Sequence, residues 1–439
     1  MASRVLVALL TVATIACGVS LNAEESHPAR SRSPQGRVSR EVRPQANNLV
    51  TFQEPSTEEV WPTNELPLDV GATPLVPPMP APAGSAGRVE PCWWGRAEYL
   101  LWATPGMHVP ILATTGAAAD PLPAAIGQPG TNDLFGNTFL NDGFRSGGRL
   151  TLGAWLDATE CRGVDVSYLT LGSEETVLSA SSEGFAVFGR PFFNTATNNQ
   201  DARLIASTGN VAGSLEILAE TEFDSWEVLY RRAFAGPRNV TFDFVLGYRL
   251  AELEDVLRIA ESTRSLSGPT TETTFDLVDR FDTRTRFHGG EAGIVLQGGE
   301  TSCWSWEALA KVAIGTSNYR GGVFGQTVTR DGVGNVSTVE GGLLAQDTNI
   351  GTHRWDEFAM IGEVGIALRR ELQCGWAASL GYSVIYWSDV ARAGEQIDTT
   401  VNPTQIPPGS LTGPARPAFP FRTTDFWAQG LRLELEYNY

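Results

Sequence analysis

The chain contains four histidines, and hydrolytic chemistry would have to start from one of them. Acid–base catalysis near neutral pH needs an imidazole within reach of a carboxylate or hydroxyl. His27 lies in a Pro-rich stretch, His108 in a long connection, and His288 at the start of an alternating segment. Only "GTHRWDE" sets a histidine, His353, close to acids, Asp356 and Glu357. A histidine beside acids at a rim is ordinarily a solvated polar group, so no catalytic residue is expected and the chain is read as no enzyme. A hydrolase at the external rim ranks third among the functional readings. "GGETSCWS" lacks nucleophile-elbow spacing, and no phosphate-binding loop or dinucleotide fingerprint is present, so no cofactor is expected. No Cys-x-x-Cys pair or His–Cys cluster offers metal-ligand spacing. The net charge of −18 argues against a nucleic-acid partner.

Other chemistry-bearing residues recur at a period of two. Arg96, Glu98, Arg149, Asp165, Glu227, Arg231, Asp243, Arg249, Glu291, Glu307, Lys311, Glu363, Arg369, Arg432, Glu434 and Glu436 alternate with apolar residues. In "NVTFDFVLGYRL", Val240, Phe242, Phe244, Leu246, Tyr248 and Leu250 share a face opposite Thr241, Asp243 and Arg249. In "WSWEALAKVAIG", Trp304, Trp306, Ala308, Ala310, Val312 and Ile314 oppose Ser305, Glu307 and Lys311. A charge facing lipid at mid-bilayer costs roughly 2–4 kcal/mol, whereas charges facing a lumen can pair with one another. The charged face is therefore the inner one.

The elements that would hold these residues are strands. From Cys92 onward, about ten alternating segments begin near Trp93, Arg145, Gly163, Thr221, Asn239, Phe287, Trp304, Trp355, Gly375 and Phe426. Short connections ("ATECRG", "AGPR", "QGGETSC", "ELQCG") alternate with long ones around 103–142, 173–218, 255–286, 319–353 and 388–424. An even count of antiparallel strands with short turns at one rim and long loops at the other is the transmembrane β-barrel arrangement. The expected fold is all-β, an antiparallel barrel over 92–439. Twelve strands result if 173–218 hides a hairpin. A soluble sandwich also alternates, but without the short/long rhythm. Trp93, Trp304, Trp306, Trp376, Tyr437 and Tyr439 fall near the short-turn rim, and Tyr386 and Trp427 near the other, as interfacial girdles do.

Residues 1–23 read as a signal peptide: Arg4 precedes the apolar run Val5 to Ala16, and Leu21 and Ala23 fit a cleavage site. Cys17 permits a second reading as a lipidated cysteine. Residues 24–91 hold 12 of the 26 prolines without hydrophobic periodicity, and read as a disordered periplasmic linker. Export makes disulfides possible among Cys92, Cys161, Cys303 and Cys374, which all map to the short-turn rim; three pairings stay open.

Several strings carry a resemblance: "WWGRAEYLLWATPG", "LNDGFRSGGRLTLGAWLD", "ETEFDSWEVLYRR" and "LGYSVIYWSDVARAGEQIDTTVNPTQIP". They resemble the beta-barrel porin family seven of bacteria over roughly residues 93 to 439. The resemblance implies an outer-membrane barrel and no particular solute. The leading functional reading is a structural barrel or passive small-solute pore with a lumen restricted by loops. The alternative is a surface-exposed binding or adhesion barrel that uses its long external loops. Arg392 and Asp398, in the loop after the ninth strand, are candidates to line a constriction with Lys311 and Glu363; a plug pairing Arg392 with an inward acid is the other arrangement. The expected partners are outer-membrane lipid and the barrel assembly machinery. The terminal "LRLELEYNY" supplies its signal through Leu431, Leu433, Leu435, Tyr437 and Tyr439. Nothing in the pattern sets an oligomeric state.

Overall fold

The computed structural model describes residues 92–236, 240–299, 303–407 and 409–439. The expected signal peptide and linker, with Cys17 and His27, lie outside these residues. Ten antiparallel strands close into a barrel. They are β1 (Trp93–Thr104), β2 (Gly143–Trp155), β3 (Arg162–Ser181), β4 (Val211–Ala235) and β5 (Val240–Ser265). Then come β6 (Thr274–Gly298), β7 (Trp304–Arg330), β8 (Gly351–Glu371), β9 (Trp376–Val390) and β10 (Thr424–Asn438). Each pairs with its chain neighbours, and β10 closes on β1 from Trp94↔Asn438 to Ala103↔Gln429. Closure leaves no sheet edge to face lipid.

The wall is uneven. Strands β4 to β7 run 25, 26, 25 and 27 residues, while β1, β2, β9 and β10 run 12 to 15. A crossing needs only about 9–11 residues, so the long strands stand well clear of a bilayer. This corrects two expected loops. Most of 255–286 is the β5–β6 hairpin, joined by residues 266–273. Much of 319–353 is the end of β7 paired with a short strand, Val336–Glu340. The stretch 173–218 does hide a hairpin, Val187–Asn194 with Asn199–Ser207, but β3 and β4 pair directly and keep it out of the wall. The count therefore stays at ten. On β3, Gly172 adopts φ +66° where the register against β4 slips. Such a bulge favours glycine and shifts the alternation by one residue. Inward positions pass from Asp165, Leu169 and Leu171 to Thr176, Leu178 and Ala180.

The outward faces carry the apolar belt: Leu150, Val166, Val228, Leu246, Ile314, Phe358, Val364, Ile366, Leu380 and Leu433 are all exposed. The interior is filled in three layers. Charged side chains occupy the half nearest the short turns. Above them Leu100, Trp102, Leu169, Phe223, Leu253, Phe287, Ile361, Trp387 and Phe426 form an apolar layer. Higher still, connections from 105–142, 182–210, 341–350 and 391–423 fold inward as a cap. Met107, Phe188, Phe192, Leu343, Leu344, Ile397 and Phe419 pack there against Leu257, Ile259, Leu277, Phe281 and Val323 of the wall.

Candidate functional site

The lumen is where alternation delivers chemistry. Each inward position on neighbouring strands meets the next around the ring, so charges far apart in sequence converge. The Lys311 Nζ lies 2.6 Å from Glu227, 3.0 Å from Glu363 and 3.8 Å from Glu291. Arg249 contacts the same three acids, at 3.1 Å from Glu291. Arg149 donates to Glu363 at 2.7 Å. Nearer the short turns, Arg96 spans Glu307, Glu434 and Glu436 at 3.3, 3.1 and 2.8 Å. Arg432 reaches Glu307 at 3.1 Å, Arg369 reaches Glu436 at 2.8 Å, and Arg231 bridges Asp165 and Asp243. With Glu98, which lies 3.7 Å from Arg432 and 3.9 Å from Arg149, nine carboxylates meet seven cations in this network. Burial of ions on this scale is tolerated only because each has opposite charge in reach.

Glu227, Glu291 and Glu363 have oxygens within 4.8 Å of one another, a donor set that could hold a metal ion. The Lys311 ammonium and the Arg249 guanidinium already bring positive charge to the centre of these three acids. The arrangement is a cradle for side-chain cations.

The cap is fastened to the wall by a second set of acids. Asp255 of β5 takes the Arg392 guanidinium and the Thr221 hydroxyl. Asp279 of β6 accepts the backbone N–H groups of Leu343, Leu344 and Ala345 and pairs with Arg190. Glu261 of β5 receives Arg190 and Arg203. Burial works against the Arg190 charge, but Asp279 and Glu261 outweigh it and raise the guanidinium above its ordinary value. Burial likewise opposes ionisation of Glu261. Arg203 and Arg190 overcome it and hold that carboxyl below the usual range. Asp255, Glu261 and Asp279 lie in the wall above the apolar belt, and Arg190 and Arg203 in the cap.

Of the four constriction candidates, Lys311 and Glu363 sit in the charged layer, while Arg392 is buried higher up against Asp255. Asp398 is elsewhere. It pairs with Arg416 at 2.8 Å and accepts from the amides of Thr400 and Ala418, all inside its own loop. The four are not brought together. Asp255, Glu261, Asp279 and Arg190 were not anticipated. The sequence signal for the three acids is that Asp255 and Glu261 share the phase of Leu257 and Ile259 on β5, and Asp279 that of Leu277 and Phe281 on β6, a pattern hidden while the stretch is read as a loop.

Cys92, Cys161, Cys303 and Cys374 are free, exposed thiols at the short-turn rim. His353 faces inward, stacks on Phe419 with ring centroids 4.1 Å apart, and shares a hydrogen bond at 2.9 Å with the Asn349 carbonyl. Asp356, on the same strand, is exposed and points away from it. The imidazole near an acid is instead His108, whose Nδ1 lies 3.3 Å from Glu395 at the low rim. On β10, Leu431, Leu433 and Tyr437 face outward, and Tyr437 packs on Trp376 at 4.8 Å.

Two cavities open to the ends. One of about 500 Å³ enters from the short-turn rim, bounded by Trp94, Arg96, Arg231, Asp243 and Arg369. Another of about 630 Å³ notches the low outer rim among His108, Phe139, Asp142, Glu395 and Trp427. The apolar layer lies between them.

Three solved structures are similar in fold at low identity. The outer membrane protease OmpT from Escherichia coli is 8% identical, covering 79% of this chain and 97% of that one, with a TM-score of 0.34. A Pseudomonas aeruginosa FadL homologue is 8% identical, with coverages of 80% and 90% and a TM-score of 0.23. The TodX deltaS2S3 mutant monoaromatic hydrocarbon channel is 7% identical, with coverages of 80% and 91% and a TM-score of 0.20. No curated protein matches the chain. The family model for beta barrel porin-7 (BBP7) matches residues 94–439, the whole of the barrel from the second residue of β1 to the C-terminus, and the chain belongs to that family.

Proposed function

We propose that the protein is a structural outer-membrane barrel whose lumen is sealed at rest, and which passes small solutes only when its cap is displaced. The observation behind this reading is the apolar layer. Trp102, Trp387, Phe223, Phe287 and Phe426 are each 0–1% exposed within the barrel, and a hydrated path needs polar or open surface there. The charged layer beneath is closed by its own ion pairs, so it offers fixed charge without a free aqueous route. The reading includes no hydrolytic step, because His353 gives its ring face and its Nε2 to the cap. A second reading, a surface-exposed binding barrel, rests on the 630 Å³ notch at the outer rim. Planar-bilayer recording separates the two. The intact protein should show small or absent steps. Deleting residues 390–415 together with Trp387→Ala should open the lumen and raise conductance. Large, stable openings in the intact protein would sink the sealed-barrel reading.

The same reading gives the last strand its role. Until β10 pairs with β1 it is an unpaired edge, which a sheet-bearing insertase can bind by strand addition. Tyr437→Ser with Tyr439→Ser should lower the amount inserted in the outer membrane and leave export past the inner membrane normal. Unchanged outer-membrane yield would remove the assembly signal without touching the barrel.

A further inference from the structure

Above the apolar belt, the register sets three arginines side by side on adjacent strands. Arg284 of β6 lies opposite Arg320 of β7, and Arg320 lies opposite Arg354 of β8. All face outward, on the side of Ile314 and Phe358; Tyr319 and Val323, which flank Arg320 on β7 from the other face, are buried inside. Glu252 and Glu254 of β5 neutralise Arg284. Arg320 and Arg354 make no ion pair or hydrogen bond among the described residues. The nearest acids on that face are Asp356, one step toward the belt opposite Asn318, and Asp282, which is paired with Arg280. Like charges directly opposite across an antiparallel pair destabilise it. Two guanidinium groups facing each other on an exposed wall therefore call for a shared anion, and a planar guanidinium is suited to phosphate.

Their height says which anion. Along β8, Arg370 also faces outward, at the short-turn rim, over the Trp304 ring at 5.2 Å. The stretch from Arg354 to Arg370 is sixteen residues. At about 3.3 Å per residue and a tilt near 40°, that is roughly 40 Å along the membrane normal. A bilayer with its headgroups measures about 40–45 Å. Arg354 and Arg370 thus stand at the two headgroup planes, and Arg320 shares the plane of Arg354. Directly below that plane, Phe358 (70% exposed), Met360 and Ile314 offer an apolar surface.

We propose that Arg320 and Arg354 bind the phosphate of an anionic lipid in the outward-facing leaflet, with its chains against Phe358, Met360 and Ile314. The site rests on the proposed membrane setting, and its test keeps the two apart. The purified barrel in detergent is titrated with phosphatidylglycerol, and with diacylglycerol of the same chains, while bound lipid is counted by native mass spectrometry. A basic side chain at a membrane surface strengthens anionic lipid binding by about five-fold. Arg320→Gln with Arg354→Gln should lose one tightly held phosphatidylglycerol and bind it roughly thirty-fold more weakly. Diacylglycerol binding should not change. Arg264→Gln, at the hairpin tip and paired with Glu272, serves as the control and should behave as the wild type. The double variant should still migrate differently boiled and unboiled, which shows that the barrel is intact. Wild-type phosphatidylglycerol binding by an intact double variant overturns the proposal. So does an equal loss of diacylglycerol binding, which would assign the contact to the chains alone. Loss of the heat-dependent migration in the wild type would instead count against the barrel in its membrane.

Discussion

The lower and upper halves of β5 are one strand in one register, yet they are built to opposite rules. Near the short turns, Phe244, Leu246, Tyr248 and Leu250 face out while Asp243 and Arg249 face in. Past Ala251 the phase is unchanged and the chemistry inverts. Glu252, Glu254 and Arg258 now face out, and Leu253, Leu257 and Ile259 face in. The neighbouring β6 does the same, with Ile294 outside and Glu291 inside below, Arg280 and Arg284 outside and Leu277 and Phe281 inside above. The cause is the solvent at the outer face. Lipid rejects charge, so the lower wall sends its charges into the lumen, where they must pair. Water accepts charge and rejects apolar surface, so the upper wall packs an ordinary core, and the folded-in cap supplies its other side.

The largest effect should come from breaking the lower half on its inside. Glu363→Ala leaves Arg149, Arg249 and Lys311 short of one buried counter-charge. Removing one partner of such a set costs about 3–5 kcal/mol. The urea midpoint of the folded barrel should fall accordingly, and adding Lys311→Met should recover part of the loss. A single variant as stable as the wild type would mean that the layer is hydrated rather than paired.

A matched pair tests the inversion itself. Leu246→Arg places a charge in the lipid belt and should cost roughly 2–4 kcal/mol in lipid. Val256→Arg, on the same face of the same strand but above the belt, should stay within about 0.5 kcal/mol. Equal effects would move the membrane boundary from where β5 places it.

The smallest effect is expected in the upper half, as a dependence on pH. The Glu261 carboxyl is held below its ordinary value by Arg203 and Arg190. A depressed carboxyl contributes stability that is present above its unfolded value, about 4.3, and is lost as pH falls through the folded value. Protection of the cap from proteolysis should therefore weaken below about pH 4, and Glu261→Gln should flatten the dependence. A Gln variant with the wild-type pH profile would assign the loosening to other carboxylates.

How much of this was legible depends on the half. Lys311 and Glu363 could be placed inside the barrel because their strands alternate charge against lipid-facing residues, a local pattern over about ten positions. Asp255, Glu261 and Asp279 lie in a stretch that reads as a loop. The lipid-facing rule used below finds no apolar outer face there, because water covers that face. Arg392 stood out by the composition of its loop, but its partner Asp255 is 137 residues away. Asp398, equally conspicuous, turned to Arg416 only 18 residues off and stayed within the loop.

An even strand count near ten, the facing of each residue in the belt and the sorting of short turns to one rim were determined by sequence alone. The reason is that alternation and turn spacing are properties of neighbours along the chain. Whether the lumen is filled, which acid takes which base and where the cap is fastened were decided only by the closed ring. Its interior brings together ten strands and four inward-folded connections, and no local pattern states which of them will meet.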